Sequence, residues 1–365
     1  MRRLAVLLLL AFFGIFSPSV HAQEKRKVII DQDARGPGTT DEQAILALIQ
    51  SPDTDVLGIT VVTGDQWRDE EVAHTLRMLE LIGRTDIPVV PGAVFPLDNS
   101  AEFIAAWEKL YGKVIYQGAW NWPAGKRRGP WELPLLPEGA PTTKPSDYHA
   151  ADFLIAMVRH HPHQVTICAA GPLTDLALAI AIDPHFAELA QELVVMGGSI
   201  NPQTTDPEFT TTPRREFNFW MDPEAAHAVL HAPWPKITDT PVDISIKTRV
   251  TKKMIGEIVL ANTPVAQYLA RYANEEYMWD ELSVVAWLDP SIITRSEKLY
   301  LDVSTDKGAT YGDTLAWPAG QNPGLGEQLV TVNRDLDTTK FYTEFMQLMK
   351  ARTPPAPSTV LKRRP

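Results

Sequence analysis

Four carboxylates fall within twelve residues near the start of the chain, at Asp31, Asp33, Asp41 and Glu42. Acids this close together are unfavourable unless a cation neutralises them. Oxygen ligands in this number suit Ca²⁺ or Mg²⁺ rather than zinc. Residues 34–40 between them contain two glycines and a proline, so they can form a tight loop that folds carboxylates around an ion. We predict a metal site here; the alternative is a solvated acidic loop in which Asp41 only starts a helix.

Two further polar groups lie much later in the chain. Glu216 and Asn218 can bind vicinal hydroxyls, since the first accepts hydrogen bonds and the second both donates and accepts. Asp222 precedes a proline and is predicted to cap a helix. Asp280 opens an apolar helix, where it is either another cap or a further metal ligand.

An α/β scaffold is predicted to position these groups. Strands and helices alternate at the start of the chain, with strands at 27–31, 57–63 and 87–90 and helices at 41–49 and 68–83. This order is typical of a mostly parallel, mixed central sheet with helices on both faces, in an open Rossmann-like architecture. The first strand stops at Asp31, which places function at the carboxyl ends of the strands.

The pattern resumes after a long interruption. Helices are predicted at 150–160, 173–182, 223–230, 254–274 and 280–288, and strands at 164–168, 193–196 and 237–244. Residues 113–147 and 199–215 are long loops between such elements. The first carries Trp120, Trp122 and Trp131, and is either an ordered flap near a pocket or a packed surface insertion.

The ends of the chain are predicted to lie outside the fold. Residues 1–22 combine a basic start, a 13-residue apolar run and a small final residue, which is the layout of a secretory signal peptide cleaved after Ala22. A membrane span needs about 20 apolar residues. We expect a periplasmic or secreted protein with one domain at 23–351. Residues 352–365 have four prolines and are expected to be a disordered tail.

The net charge and the cysteine content limit the kinds of ligand and partner that the protein can have. The formal net charge is −11 and there is no basic stripe, which argues against nucleic acid or an anionic membrane as a partner. Metal cations and small neutral ligands suit such a chain. Cys168 is the only cysteine, so no disulfide forms within one chain, and its apolar neighbours favour a buried thiol over a nucleophile.

Taken in order, the motifs resemble those of the nucleoside hydrolases, the calcium-dependent N-ribohydrolases. The matching segments run from Lys27 to about Pro290, and they read VIIDQD…TTDE, TVVTGDQW, LELIGRTDIPVVPGA, CAAGPLTDLALA, VVMGG, EFNFWMDPEAA and WDELSVVAWLDPS. The pair VVMGG and EFNFWMDPEAA is long and specific. We therefore expect the nucleoside hydrolase fold and hydrolysis of nucleosides to free base and ribose.

The resemblance implies roles for individual residues at the metal. Asp33 would bind Ca²⁺ and remove a proton from the attacking water. Glu42, Asp280 and the carbonyl of Ala170 would complete the metal ligands. Asp31 would not bind the metal directly but would help to orient the residues that do.

The resemblance also implies roles toward the substrate. Asp41, Glu216 and Asn218 would hold the ribose, and Met196 would line the sugar pocket. Water attack in one step would invert the anomeric carbon. The resemblance further implies a homodimer or homotetramer, which is the assembly we expect.

Several positions depart from the family pattern. The loop at 34–40 is longer, Glu42 stands for Asp, Asp65 stands for Asn beside the ribose, and Ala169-Ala170 replaces Pro-Thr. Trp279 replaces a histidine that would protonate the leaving base. Tryptophan cannot be a general acid, although it can stack on a base. A substitute acid would come from 113–147 or 199–215.

These departures keep other functions open. One alternative is a nucleoside- or ribose-binding protein with little turnover, and another is a hydrolase of a different N-riboside. A haloacid-type phosphatase also begins with a strand and a DxD motif. That interpretation lacks the Gly-Thr directly after DxD and leaves EFNFWMDPEAA unexplained.

Overall fold

The computed structural model describes residues 24–121 and 128–356. The predicted signal peptide and residues 357–365 of the predicted tail lie outside these ranges. The strands are β1 Arg26–Gln32, β2 Thr54–Val61, β3 Val89–Pro91, β4 Val165–Ala169, β5 Glu192–Val195, β6 Ile237–Asp239, β7 Ile293–Val303, β8 Thr314–Pro318 and β9 Leu329–Leu336.

Helices cover both faces of the strands. They are α1 Thr40–Gln50, α2 Arg68–Ile82, α3 Ala101–Tyr111, α4 Ala150–His160, α5 Thr174–Ile182, α6 Phe186–Leu189, α7 Pro207–Thr211, α8 Phe217–Met221, α9 Pro223–His231, α10 Val242–Ser245, α11 Lys252–Ile258, α12 Pro264–Tyr272, α13 Trp279–Leu288 and α14 Thr338–Lys350. Short 3₁₀ turns occur at Gly118–Trp120, Val259–Ala261 and Pro290–Ile292. No helix in the described part of the chain is long and apolar enough to cross a membrane.

The strands form a single mixed sheet in the order β3-β2-β1-β4-β5-β6-β9-β7-β8. Neighbours from β3 to β9 in this order are parallel, and β7 runs antiparallel to both β9 and β8. The predicted α/β class with a mostly parallel, mixed sheet is therefore confirmed. The antiparallel strands β7 to β9 and helices α3 and α14 were not predicted.

The strand order reverses between β1 and β4. From β1 the chain moves outward to β2 and β3, and it returns to the other side of β1 with β4. Loops after these two central strands therefore leave in opposite directions and open a crevice at their carboxyl ends. Asp31 pairs in register with Thr60 on one side and Ala169 on the other, so the first acidic residues reach that crevice.

Two apolar cores hold the sheet between its helices. Side chains alternate along β1, and Val28 and Ile30 point into one core while Ile29 points into the other. The first core contains α1, α2, α12, α13 and α14, and the second contains α4, α5 and α9. Every residue of α1 is buried, so the helix that carries Asp41 has a fixed position.

Two predicted elements were wrong. The strand expected at 237–244 ends at Asp239, and α10 begins after Pro241, which has no backbone N–H to continue the ladder. The helix expected at 254–274 is broken in the middle. Asn262 adopts a left-handed backbone with φ of 51°, and Thr263 caps a new helix that begins at Pro264.

Candidate functional site

A cavity of about 300 Å³ opens at the carboxyl ends of the central strands. Nine of the eleven predicted site residues line it: Asp33, Asp41, Asp65, Ala170, Met196, Glu216, Asn218, Trp279 and Asp280. Residues that are far apart in the chain, such as Asp33, Glu216 and Asp280, therefore line one pocket. Asp31 and Glu42 do not line it.

Three carboxylates converge on the floor of this pocket. Asp33 follows β1, Asp41 is in the first turn of α1, and Asp280 is in the first turn of α13. Asp33 accepts a hydrogen bond of 3.1 Å from the backbone N–H of Asp65, and Gln32 donates one of 2.6 Å to Asp280. Burial raises the pKa of Asp33 and of Asp280 well above the usual range, and the neighbouring acids raise it further. A bound cation would relieve this repulsion.

This donor set fits a hard divalent cation. Asp33, Asp41 and Asp280 offer only oxygen, and Ala170 follows β4 at the same edge of the sheet. Carboxylate and carbonyl oxygens are the ligands that Ca²⁺ prefers, whereas zinc sites in proteins favour nitrogen and sulfur. The residues present are therefore suitable for Ca²⁺.

Glu42 points away from the pocket, which corrects its predicted role as a metal ligand. Its carboxylate accepts hydrogen bonds from the backbone N–H of Gly38, at 2.8 Å, and from the hydroxyl of Tyr268. Successive residues of a helix project about 100° apart, and Glu42 projects from α1 toward Gly38 and Tyr268 rather than into the pocket. Asp41 faces the pocket beside Asp280. We therefore place Asp41 among the candidate metal ligands and remove Glu42.

Glu216 and Asn218 are held rigidly at the start of α8. The Glu216 carboxylate accepts hydrogen bonds from the backbone N–H groups of Gly198 and Asn218, each 2.8 Å long. Burial raises the pKa of Glu216 to about 7 in spite of these bonds. The Asn218 amide donates to the carbonyl of Met196 at 3.1 Å. Both side chains are thus oriented before any ligand arrives.

Two other predicted residues have supporting positions. The buried carboxylate of Asp31 accepts a 2.5 Å hydrogen bond from the Thr60 hydroxyl, and its neighbour is the carboxyl of Asp175. It therefore ties β1 to β2 beneath the pocket. Asp222 caps α9 as expected, accepting a 3.1 Å bond from the N–H of Ala225.

Arg35 was missed by the sequence analysis. Its guanidinium lies 3.6 Å from the carboxylate of Asp65 and 2.7 Å from that of Glu276. The Tyr116 hydroxyl donates a 2.8 Å hydrogen bond to Asp65 from another side. Burial raises the pKa of Asp65 to about 6, although Arg35 acts in the opposite direction. The unusual length of the 34–40 loop was the signal that could have identified Arg35.

The 113–147 insertion is partly a segment beside the pocket and partly a packed surface insertion, the two alternatives that the sequence left open. Tyr116 lines the pocket, while Trp120 is buried against Trp220 with ring centroids 6.0 Å apart. Trp131 is exposed at the surface, and Trp122 lies outside the described residues. The described part of the insertion therefore contributes Tyr116 to the pocket and Trp120 to the packing beside it.

An aromatic group surrounds Trp279 at one end of the pocket. Its ring lies 4.6 Å from that of Tyr277 and 5.9 Å from that of Phe209, measured between centroids. Glu208, next to Phe209 in α7, also lines the cavity. Burial, together with the charges of Glu216, Asp206 and Asp65, raises the pKa of Glu208 to about 7. The 199–215 loop thus supplies an acid and an aromatic residue, and neither had been singled out.

A separate group of metal-capable side chains lies on α9 and β7. His227 and His231 are one helical turn apart and lie 2.7 Å and 3.1 Å from the two carboxylate oxygens of Asp302. None of the three lines the pocket. These contacts hold α9 against β7, and we assign them no catalytic role.

Comparison with known proteins identifies relatives over most of the chain. Residues 28–343 match the family model described as inosine-uridine preferring nucleoside hydrolase. A pyrimidine-specific ribonucleoside hydrolase, RihA, of Photobacterium profundum is 30% identical over 324 residues, which cover 85% of this chain and 95% of the relative. A probable uridine nucleosidase 2 of Arabidopsis thaliana is 28% identical over 307 residues, covering 80% and 86%.

Solved structures agree with this assignment. The plant nucleoside hydrolase PpNRh1 superposes with a TM-score of 0.69 at 26% identity, covering 90% of this chain and 99% of that one. An inosine-guanosine nucleoside hydrolase has a TM-score of 0.70 at 21% identity, which supports the fold.

Proposed function

This chain belongs to the inosine-uridine preferring nucleoside hydrolase family, and we propose that it uses Ca²⁺ to hydrolyse ribonucleosides to free base and ribose. The enzyme class, a ribonucleoside hydrolase, follows from its homologues. The observation that carries the calcium proposal is the convergence of Asp33, Asp41 and Asp280 in one pocket with Glu216 and Asn218.

The mechanism assigns the chemical step to Asp33. Ca²⁺ held by the three carboxylates would orient the attacking water and stabilise the hydroxide character that develops as its proton leaves. Asp33 accepts the proton of the attacking water, and Glu216 and Asn218 hold the ribose hydroxyls in one orientation. Water then attacks C1′ as the bond from C1′ to the base nitrogen breaks. Attack opposite the leaving base inverts the anomeric carbon.

The remaining pocket residues have positioning roles in this proposal. Arg35 balances the extra charge of Asp65, whose backbone N–H donates a hydrogen bond to the carboxylate of Asp33. Met196 offers an apolar surface to the sugar, and Trp279 stacks on the base. The names of the relatives make uridine a suitable neutral substrate for a first assay.

A nucleoside panel tests the proposal. The chain from residue 23 onward is incubated with inosine, adenosine, uridine and cytidine, with Ca²⁺ or with chelator, and reducing sugar is measured. We expect release with Ca²⁺ only, and none from an Asp33→Asn variant. Binding of nucleosides without any release would instead indicate a nucleoside-binding protein.

Export and assembly are further parts of the proposal. We expect residues 1–22 to direct export to the periplasm or medium, with cleavage after Ala22, which N-terminal sequencing of the secreted chain would test. We also expect a homodimer or homotetramer, measurable by light scattering after size exclusion.

A further inference from the structure

The pocket carries a large excess of negative charge. Among the described residues that line it, nine have carboxyl side chains and two have guanidinium side chains. Arg35 is already paired with Asp65 and Glu276. The guanidinium of Arg249 lies over the ring of Tyr277, 4.4 Å from its centroid. One divalent cation would leave most of this negative charge in place, so the pocket favours a positively charged ligand and disfavours a phosphate.

The aromatic group suits the same kind of ligand. The ring of Trp279 contacts those of Tyr277 and Phe209, at 4.6 Å and 5.9 Å between ring centroids, and all three residues line the pocket. The face of an aromatic ring, that of tryptophan most strongly, attracts a cation. A planar ring with a positive charge would therefore be held here both by stacking and by electrostatics.

Glu208 gives this end of the pocket a carboxylate that lacks a counter-ion. No hydrogen-bond donor among the described residues contacts its side chain, and its charged neighbours Glu216, Asp206 and Asp65 are all negative. Burial and these neighbours raise its pKa to about 7. A cationic ligand would favour the ionised form and supply the missing positive charge.

The same end of the pocket lacks the usual acid for the leaving group. Trp279 stands where the family resemblance places a histidine, and no histidine lines the described pocket. A neutral base leaves as an anion unless it gains a proton. A base that is already cationic takes the electron pair of the broken bond and leaves as a neutral molecule, so it needs no acid.

We propose that the preferred substrates of this enzyme are ribosides whose base is a cationic nitrogen heterocycle, such as a pyridinium ring. In the reaction, water oxygen bonds to C1′ and the bond from C1′ to the ring nitrogen breaks. The bonding electrons return to the nitrogen, which becomes neutral, and the proton of the water passes to Asp33. The inference rests on the proposed N-ribohydrolase function, and it adds the charge of the base as the feature that selects the substrate.

A binding experiment tests the charge preference without requiring turnover. Calorimetric titration compares 1-methylnicotinamide, a pyridinium cation, with neutral nicotinamide. We expect the cation to bind about tenfold more tightly, as for a desolvated cation–π contact. Glu208→Gln and Trp279→Leu should each remove most of this difference, and Glu257→Gln, at an exposed site on α11, should keep it. Equal binding of the two compounds would overturn the proposal.

Kinetics provide the second test. We expect kcat/KM for nicotinamide riboside to exceed that for uridine by at least about tenfold, and Glu208→Gln to lower only the former by about tenfold. The neutral 1,4-dihydronicotinamide riboside, nearly identical in shape, should be cleaved poorly. If Glu208→Gln impairs uridine and spares nicotinamide riboside, Glu208 is an acid for the leaving base and the inference is wrong.

The proposed hydrolase function and the proposed preference for a cationic base can be tested separately. If p-nitrophenyl riboside, whose leaving group needs no proton, is not cleaved by the calcium-loaded enzyme, the proposed hydrolase function fails. If it is cleaved, and uridine is preferred to nicotinamide riboside, only the inference on the cationic base fails. A normal thermal unfolding profile for each variant establishes that it is folded.

Discussion

The guanidinium of Arg35 lies 3.6 Å from the carboxylate of Asp65, and this contact links two departures from the family pattern. Arg35 belongs to the lengthened 34–40 loop, and Asp65 is the acid that stands in place of an asparagine. The longer loop therefore brings a positive charge to the position where the chain has gained a negative one. The two changes therefore compensate each other in charge.

Arg35→Ala should reduce activity because it leaves Asp65 and Glu276 without their counter-ion beside Asp33. We expect kcat/KM for the best substrate to fall by about tenfold, or about 1.4 kcal/mol, since the pair is partly exposed. Asp65→Asn introduced together with Arg35→Ala should restore part of the loss. A double variant that is no better than Arg35→Ala would contradict the pairing.

Asp41 and Glu42 form a matched pair for testing the metal site. Asp41→Asn should weaken Ca²⁺ binding by about 100-fold, since it removes an anionic ligand. Glu42→Gln should leave Ca²⁺ affinity nearly unchanged, because the Glu42 side chain bonds to Gly38 and Tyr268 instead. Calorimetric titration with Ca²⁺ measures both. The reverse ranking would restore the role first expected for Glu42.

Gly64→Ala should inactivate the enzyme while leaving it folded. A Cβ atom at this position would lie 2.0 Å from a carboxylate oxygen of Asp33, so that side chain must move. Gly83→Ala is not an equivalent control because Gly83 has a left-handed backbone, whereas Gly256→Ala meets no atom within 4 Å. We expect loss of turnover in Gly64→Ala and normal turnover in Gly256→Ala. Normal activity in both would show that Asp33 does not depend on this close approach.

Stability should depend on the protonation of His74. Burial lowers the pKa of His74, but hydrogen bonds to Glu138 and Glu70 outweigh this effect and raise it from 6.5 to about 9. The raised pKa of His74 contributes about 3 kcal/mol to the free energy of unfolding below pH 6.5, and this contribution is lost as the pH rises through about 9. Chemical unfolding between these pH values should show the decrease in wild type. In His74→Gln the decrease should be smaller, and an identical profile would contradict the pair.

Much of the fold could be predicted from the sequence because its early strands and helices have clear periodicity and end signals. The first strand was predicted to stop at Asp31 and ends at Gln32, α2 ends before Gly83, and α9 begins at an Asp-Pro pair, so all three lie near the predicted positions. The antiparallel strands β7 to β9 were not recognised. In β7, buried and exposed side chains do not alternate regularly, because α9 covers one end of the strand and the rest is more exposed. The sequence therefore lacks the two-residue periodicity that indicates a strand.

The site was only partly predictable for a different reason. The motif residues Asp33, Glu216, Asn218 and Asp280 could be assigned by resemblance, and they do line one pocket. The choice between Asp41 and Glu42 depends on the rotation of α1, which an insertion in the preceding loop conceals. Arg35 and Tyr116 lie in loops, and Glu208 lies in the short helix α7 within a long connection. The conformation of such segments depends on long-range packing rather than on local pattern.

The most direct test is proton NMR of the reaction of uridine or nicotinamide riboside with the calcium-loaded enzyme. The account predicts that free base and α-ribose appear together at the earliest times, because one-step attack by water inverts the β-linked C1′. Neither product should form with chelator or in Asp33→Asn. The absence of ribose with Ca²⁺ present, or the initial appearance of β-ribose, would contradict it.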